Sequence, residues 1–401
     1  MSVGTAFHER TAPLNLKLSW REWSGYLAAG VYADHHDIEY NAIREAAALI
    51  DVSPLFKYRV SGVDSTRLID RIITRDATKL AVGGVIYTCW CNEAGKVVDD
   101  GTIARIDETT YRWTAADPSL RWFQQAAAGL DVAIEDVTDE VAALAVQGPR
   151  SRSLLEAVTG GDLSDLRYYR RRAASIDDVR VDVSRTGYTG DLGYELWVDA
   201  ADALAVWDAL MVAGPDHALR PAGMVALDIA RIEAGLILIE VDFFSARHAL
   251  IPEQAYSPFE IGLGRLVNFN KEADFVGRPA LEAERDSGGP PRRLVGLVLD
   301  WEELQRLYER HDLPPLVPAT ASREPVPVYS RGRQLGRVTS TTWSPTLKQM
   351  IALGSVPPDH EAAGTRLQVE WTVEARRHRV SAEVVPLPFF DPPRKKEVRR
   401  S

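Results

Sequence analysis

Residues 184–198 read SRTGYTGDLGYELWV. Gly187, Gly190 and Gly193 recur at every third position, between a run from Asp178 to Ser184 and another from Tyr194 to Val198. Both runs alternate apolar and polar side chains, the signature of half-buried strands. A dinucleotide fingerprint would open a helix with G-x-G-x-x-G, and a phosphate loop would carry a lysine after its last glycine. Here the spacing is G-x-x-G-x-x-G, no lysine follows, and a strand comes next. The segment therefore reads as a tight connection between antiparallel strands, with the glycines expected to supply positive φ. That connection places Glu195 at a strand start, beside the loop amides and the hydroxyls of Thr186, Tyr188 and Thr189. A carboxylate there can accept two donors from a flat heterocycle, as it would from a bidentate arginine.

Working outward, Ala201–Met211 carries an apolar stripe at helical spacing, and MVALDIARIEAGLIL is a second helix closed by Gly235. Upstream, helical periodicity spans Glu39–Asp51, Val63–Ile73 with Asp64 or Ser65 as cap, Leu120–Ala128 and Pro149–Val158. Between them VIYTCWC, the turn Asn92–Gly95 and KVVDDGTIARI form a hairpin. Turn length sets Cys91 across from Lys96 and Thr88 across from Asp99, with Tyr87 within one pleat of Asp99 and Asp100. By alternation only one of the two aspartates faces the same side as Tyr87, and Trp90 faces away. Tyr256–Arg278 connects this half to a region of short strands among prolines and glycines from Arg293 onward, a small all-β module.

At 401 residues, two or three domains are expected. Composition is that of a soluble globular chain, 45% hydrophobic and 26% charged. A formal charge of −10 argues against binding a phosphate backbone as the main task. The one basic run, Arg394–Arg400, reads as a solvated tail. No apolar stretch is long enough to span a bilayer and the N-terminus lacks the pattern of a signal peptide, so a cytoplasmic location is expected. Cys89 and Cys91 form no zinc pattern without two further ligands and are expected as buried thiols. No partner spacing supports a metal at His35 and His36.

GYTGDLGYELWV resembles the GYTGE-x-G-[YF]-E segment of the glycine-cleavage T-protein (aminomethyltransferase) family. Further blocks follow in the family's order: REAAALIDVSPL, VIYTCWCNEAGKVVDD, ALDIARIEAG, SPFEIGLG, DFVGRPAL and VTSTTWSPTL. The resemblance spans Tyr32 to Phe390 and implies an α+β fold, a cloverleaf of three domains around a tetrahydrofolate site with a β-barrel last. It apportions residues 1–52 with 145–255 to a discontinuous folate-binding domain and 53–144 to a second domain. Residues 256–289 become a linker, 290–390 the barrel and 391–401 the basic tail. By the resemblance, Glu195 holds the pteridine, Tyr87 lines the folate cleft, and Asp99, the first of the DD pair, sits near the nitrogens that receive the carbon. Leu55 stands where the family has a methionine packing the pteridine, Thr186 and Tyr188 belong to the same turn, and Trp343 lies in a matching block at the domain junction. A carboxylate at that place can orient the amine, take its proton or stabilise a developing cation.

The chain departs from the family pattern at Leu227, where an arginine is usual, at Ala116 in place of an asparagine, and at Ile239 and Glu240 in place of tyrosine and glycine. These positions are expected near the folate or its donor. With the apolar run Leu236–Ile239, Phe243 and Phe244, they point away from an aminomethylated lipoyl carrier and toward the relatives that demethylate or demethylenate small, often aromatic, donors. The product expected is a 5-methyl or 5,10-methylene folate, formed without redox change at the protein. A leaving phenoxide needs a proton, for which Tyr32, Asp242, His248 and Tyr256 are the candidates. Aminomethyl transfer remains the alternative, and a non-catalytic folate binder a third; the K-G-C-[YF]-x-G-Q-E motif of the iron–sulfur assembly relatives is absent.

Overall fold

The structure is a computed structural model and describes residues 2–397. The chain opens with α1 (His8–Thr11), β1 (Ser19–Trp23), β2 (Tyr26–Val31), α2 (His36–Glu45) and β3 (Ala47–Asp51). A second unit follows: β4 (Phe56–Ser61), α3 (Ser65–Ile72), β5 (Val85–Cys91), β6 (Val97–Arg105), β7 (Thr110–Ala115), α4 (Leu120–Ala126) and β8 (Ala133–Asp136). The chain then returns through β9 (Val141–Gln147), α5 (Ser151–Thr159), β10 (Arg171–Ile176), β11 (Val179–Ser184), β12 (Gly193–Asp199), α6 (Ala203–Ala213), β13 (Leu219–Pro221) and α7 (Met224–Glu233). Last come α8 (Arg278–Asp286), β14 (Arg293–Leu299), α9 (Trp301–Glu309), β15 (Val326–Ser330), β16 (Arg333–Ser344), β17 (Gln349–Val356), β18 (Arg366–Val373) and β19 (Arg376–Val385).

Three sheets result. The first runs β10-β11-β12-β9-β3-β13, the second β5-β6-β7-β4-β8, and β14-β17-β16-β15-β18-β19 closes into a barrel. The helical pattern read over Glu39–Asp51 breaks at Glu45, because Ala47–Asp51 is a central strand held between β9 and β13. Ala47 and Leu49 enter one core and Ala48 and Ile50 the other, so the strand is apolar on both faces and periodicity could not separate it from a helix. The expected border at 144/145 falls inside β9, which pairs with both β3 and β12 and belongs whole to the first sheet.

One face of the first sheet is covered by α5 and α6 around Leu154, Val206, Trp207 and Leu210. The other lies under α2 and α7 around Tyr40, Ile43, Ala226 and Ile229. In the second sheet Tyr58, Trp90, Tyr111 and Trp113 turn toward α3 and α4. The opposite face, bearing Tyr87, Cys89 and Cys91, meets the segment from Ile237 to Leu281. Cys89 and Cys91 are buried free thiols.

Polar hubs tie the barrel to the first unit. Buried Glu233 accepts from Tyr40 Oη at 2.5 Å, Ser344 Oγ at 2.5 Å and Arg44 Nε at 2.9 Å. The tail expected in solvent is docked instead: Arg394 pairs with Asp191 at 2.6 Å, and Arg185 Nη2 donates to the carbonyls of Arg394, Lys395 and Glu397. The rest of the basic run, from Val398 on, lies outside the described residues. Among the described residues no helix is long and apolar enough to cross a membrane.

Candidate functional site

The glycine turn owes its spacing to a residue outside it. Gly190 alone of the three has positive φ, +75°. Gly187 and Gly193 are needed because a Cβ at either position would collide with the side chain of Gln147, which threads through the turn. Gln147 Nε2 donates to Thr186 O at 3.2 Å and Tyr194 O at 3.1 Å, and Thr189 Oγ1 donates to Gln147 Oε1 at 2.8 Å. The turn is thereby rigid before any ligand arrives.

On the strand it feeds, Glu195 and Trp197 share one face. Trp197 Nε1 donates to Ser184 Oγ at 3.0 Å, Ser184 Oγ meets Thr186 Oγ1 at 3.1 Å, and Thr186 Oγ1 donates to Glu195 Oε2 at 2.5 Å. Across from them on β9 stand Ala145 and Ala143, both buried. Burial pushes the Glu195 carboxyl up, opposed by the Thr186 hydroxyl and the charge of Arg112.

The second wall is the open face of β5, β6 and β7. Tyr87 lies opposite Thr102, and Thr102 Oγ1 meets Thr114 Oγ1 at 2.8 Å, so the three form a row across the sheet. Gly101 permits this closeness, since a Cβ there would strike the Thr114 carbonyl. The register differs from the one expected from turn length: a bulge between Trp90 and Cys91 sets Thr88 across from Gly101 and Trp90 across from Asp99. Tyr87 Oη donates to Asp100 Oδ2, its diagonal neighbour on the same face, at 2.7 Å. Asp99 points elsewhere. It is fully buried and its oxygens accept the backbone N–H groups of Asp100 at 2.7 Å, Ala116 at 3.0 Å and Asp117 at 2.9 Å. Asp99 is thus a backbone clamp that closes β6 on β7, and Asp100 is the member of the pair that shares a face with Tyr87. Burial raises the Asp100 carboxyl to about 6, against the downward pull of the Tyr87 hydrogen bond. Burial, then the Asp100 charge, holds the Tyr87 hydroxyl well above its ordinary value.

Tyr188, whose hydroxyl donates to Ile237 O, and Leu55 pack against Leu227 to complete the enclosure. Tyr87, Asp100, Thr102, Arg112, Tyr188 and Glu195 are all half-buried, whereas Trp90, Ile103 and Trp113 behind them are wholly buried. The first set therefore lines an interior recess between the two sheets. A pocket of about 240 Å³ lies at the start of β5, bordered by Arg75, Ile86, Tyr168, Tyr169 and Arg170. Burial raises the Tyr168 and Tyr169 hydroxyls, and the Glu195 charge adds to the effect.

Several candidates fall outside the recess. Asp242 is buried and saturated: Oδ2 accepts from Arg231 Nη1 at 2.5 Å and Leu238 N at 2.9 Å, Oδ1 from Thr339 at 2.6 Å and Ser340 at 2.7 Å. All its bonding is spent within the protein, and it binds the 236–242 loop to the barrel. Tyr32 is buried beside Thr11 and Asp51 under the N-terminal segment. Tyr256 lies between Arg292 and Arg337. Trp343 packs on Trp301 of α9 with ring centroids 4.8 Å apart, so it belongs to the barrel. Phe243 and Ile237 are core, whereas Leu236, Leu238, Ile239 and Phe244 of that run are half-buried.

His248 is half-exposed, with Nδ1 2.9 Å from Glu240 Oε1 and Nε2 3.5 Å from Asp117 Oδ2. These three side chains, and separately His35, His36 and Asp37, bring possible metal-ligand atoms within 4.8 Å of one another. Gln147, Asp100 and Arg112 were not singled out by the sequence. For Asp100 the signal was present, as the second member of the DD pair.

The family model of the GCVT N-terminal domain matches residues 7–271 and that of the glycine cleavage T-protein C-terminal barrel domain residues 292–391. A trimethylamine-oxide aldolase of Ruegeria pomeroyi is 36% identical over 98% of this chain, which spans 47% of that relative's length. An aminomethyltransferase of Bacillus cytotoxicus is 34% identical over 88% of this chain and 89% of its own. The glycine cleavage system aminomethyltransferase T of Bartonella henselae superposes with a TM-score of 0.81 at 22% identity, covering 98% of this chain and 99% of that one, a likeness of fold. With both family models in sequence and the sheet–sheet–barrel order in space, the chain belongs to the glycine-cleavage T-protein family.

Proposed function

We propose that this chain moves a one-carbon unit, methyl or methylene, from a small donor to tetrahydrofolate held in the recess. The observation that carries the reading is the Tyr87–Asp100 pair facing the Glu195 turn across an enclosed space. The donor set suits a reduced pterin. A flat heterocycle rich in N–H groups calls for a buried acceptor, supplied by Glu195, and for apolar faces, supplied by Leu55 and Tyr188. Tetrahydrofolate, when bound, supplies a nucleophilic secondary amine that takes up the carbon.

The residues of the chain do the rest. Asp100 Oδ1 has no hydrogen bond among the described residues and is free to receive the proton that the amine releases. Tyr87, bonded to Oδ2, fixes the carboxylate plane, so its negative charge is in place where positive charge develops. Glu195, fixed by Thr186, orients the heterocycle. Donors of small size and apolar body, methyl ethers of aromatic rings among them, suit the Ile239 and Phe244 side of the recess. His248, exposed and paired to Glu240, is the remaining candidate for protonating a leaving group.

Aminomethyl transfer from a lipoyl carrier is the second reading, favoured by the near full-length match to an aminomethyltransferase. Mass spectrometry of the folate pool separates the two, after incubation of protein and tetrahydrofolate with pooled methoxy, methylenedioxy, N-methyl and S-methyl donors or with the aminomethylated carrier. A new folate mass from the pooled donors, absent with Asp100→Asn, is the expected result. Folate that stays bound and unchanged with every donor would leave a binding protein and end the catalytic reading.

A further inference from the structure

Arg112 is a cation that the proposed chemistry leaves unused, and it stands inside the recess. It lies on β7 between Tyr111 and Trp113, which turn into the helix-covered core, so Arg112 turns to the open face. Its guanidinium sits 4.1 Å from the centre of the Trp197 ring on the opposing sheet. Among the described residues its one hydrogen-bond acceptor is Asp182, at 2.6 Å from Nη1, and Asp182 is shared with Arg171 Nε, also at 2.6 Å. A guanidinium has five N–H donors, so most of Arg112's remain free. Asp182, divided between two arginines, leaves net positive charge at this wall.

The position relative to Glu195 is set by strand geometry. Trp197 and Glu195 are two residues apart on β12, on one face, and so about 7 Å apart. A carboxylate that accepts and a guanidinium that donates therefore stand near each other on one face of the sheet, close enough for the Arg112 charge to act on Glu195. The matching edge on a ligand is an N–H donor next to a carbonyl oxygen. The pyrimidinone edge of a pterin has that arrangement, with N3–H adjacent to the 4-oxo group.

On the reading that the recess holds a reduced folate, we propose that Arg112 is a specificity-determining residue: it donates to the 4-oxo oxygen while Glu195 accepts from N3–H and the 2-amino group. The site then selects 4-oxo pterins against 4-amino analogues, which lack the N3–H that Glu195 accepts and whose 4-amino group would direct hydrogen at the Arg112 donors that Asp182 does not take.

The test is calorimetric titration of the full chain with tetrahydrofolate and with its 4-amino-4-deoxy analogue, tetrahydroaminopterin. Wild type is expected to prefer the 4-oxo ligand by about tenfold to a hundredfold, the usual worth of a hydrogen bond to a charged group. Arg112→Ala should weaken tetrahydrofolate by a similar factor and bring the ratio of the two dissociation constants toward one; Arg112→Lys, which keeps a donor and the charge, should restore part of it. A structural bridge alone would lower both affinities together and leave the ratio standing. Wild type that binds both ligands equally, or an Arg112→Ala protein that keeps the wild-type ratio, overturns the assignment. Failure of wild type to bind either pterin would overturn the folate reading and this one with it.

Discussion

Asp99 and Asp100 are neighbours in sequence and differ in every contact. Asp99 accepts three backbone N–H groups, and its replacement by asparagine removes an acceptor that buried amides need. Asp99→Asn should therefore lower stability by about 1–3 kcal/mol, measured by denaturant unfolding, while transfer per folded molecule persists. Asp100→Asn should abolish transfer, read by folate mass, and spare tetrahydrofolate binding. The two outcomes exchanged would return the catalytic role to Asp99. The pH dependence follows from the same carboxyl. Its folded value of about 6 lies above the ordinary 3.8, so the folded protein holds a proton that the unfolded chain releases between them. That group adds stability as pH falls through this window, whereas transfer needs the ionised form and should decline below about pH 6. Because the Tyr87 hydrogen bond lowers the value, Tyr87→Phe should move the acid limb of the rate profile to higher pH. A limb that stays in place would remove Asp100 as its source.

The glycine turn shows how an element can be recognised correctly for an incomplete reason. Its three-residue spacing was legible, and so was the strand on either side of it. The expectation that all three glycines adopt positive φ was not met, because two of them make room for Gln147, a residue some forty positions away in sequence. Gln147→Leu keeps the bulk and removes the hydrogen bonds. It should take the Gln147 donor from the carbonyls of Thr186 and Tyr194 and the acceptor from Thr189, reduce stability by about 1–3 kcal/mol and weaken tetrahydrofolate binding together with it. Unchanged affinity in calorimetry would show that the turn holds its shape without this brace. The hairpin carries a similar lesson. Loop length alone gave a regular register with Tyr87 directly across from Asp100, and the bulge at Cys91 moved it by two residues at Thr88, so Asp100 is now the diagonal neighbour that the Tyr87 hydroxyl still reaches.

At the scale of the whole molecule, two sheets face each other and the barrel is pinned against the first unit by buried ionic hubs. Glu233 is the centre of one, with Tyr40, Arg44 and Ser344 around it. Removing it takes from the buried Arg44 guanidinium its closest carboxylate and leaves Asp191 at 3.6 Å as the other, so Glu233→Ala should lower the unfolding free energy by about 2–4 kcal/mol and raise amide exchange first along the contact of α7 with β16 and β17. Exchange spread evenly over the chain would argue against a domain-coupling role. The amino-acid sequence by itself determined the family, through short blocks whose glycines, aromatic residues and carboxylates keep their order along the chain. It also determined most of the strands and helices, because hydrophobic period is a local property. Only the tertiary structure decided which aspartate enters the recess, that Asp242, Tyr32 and Trp343 are spent on packing and ion pairs, that the start of the basic tail is docked, and that Arg112 reaches Trp197. The reason is physical: each of these depends on a facing sheet or a distant partner, and neither leaves a periodic trace in the local sequence.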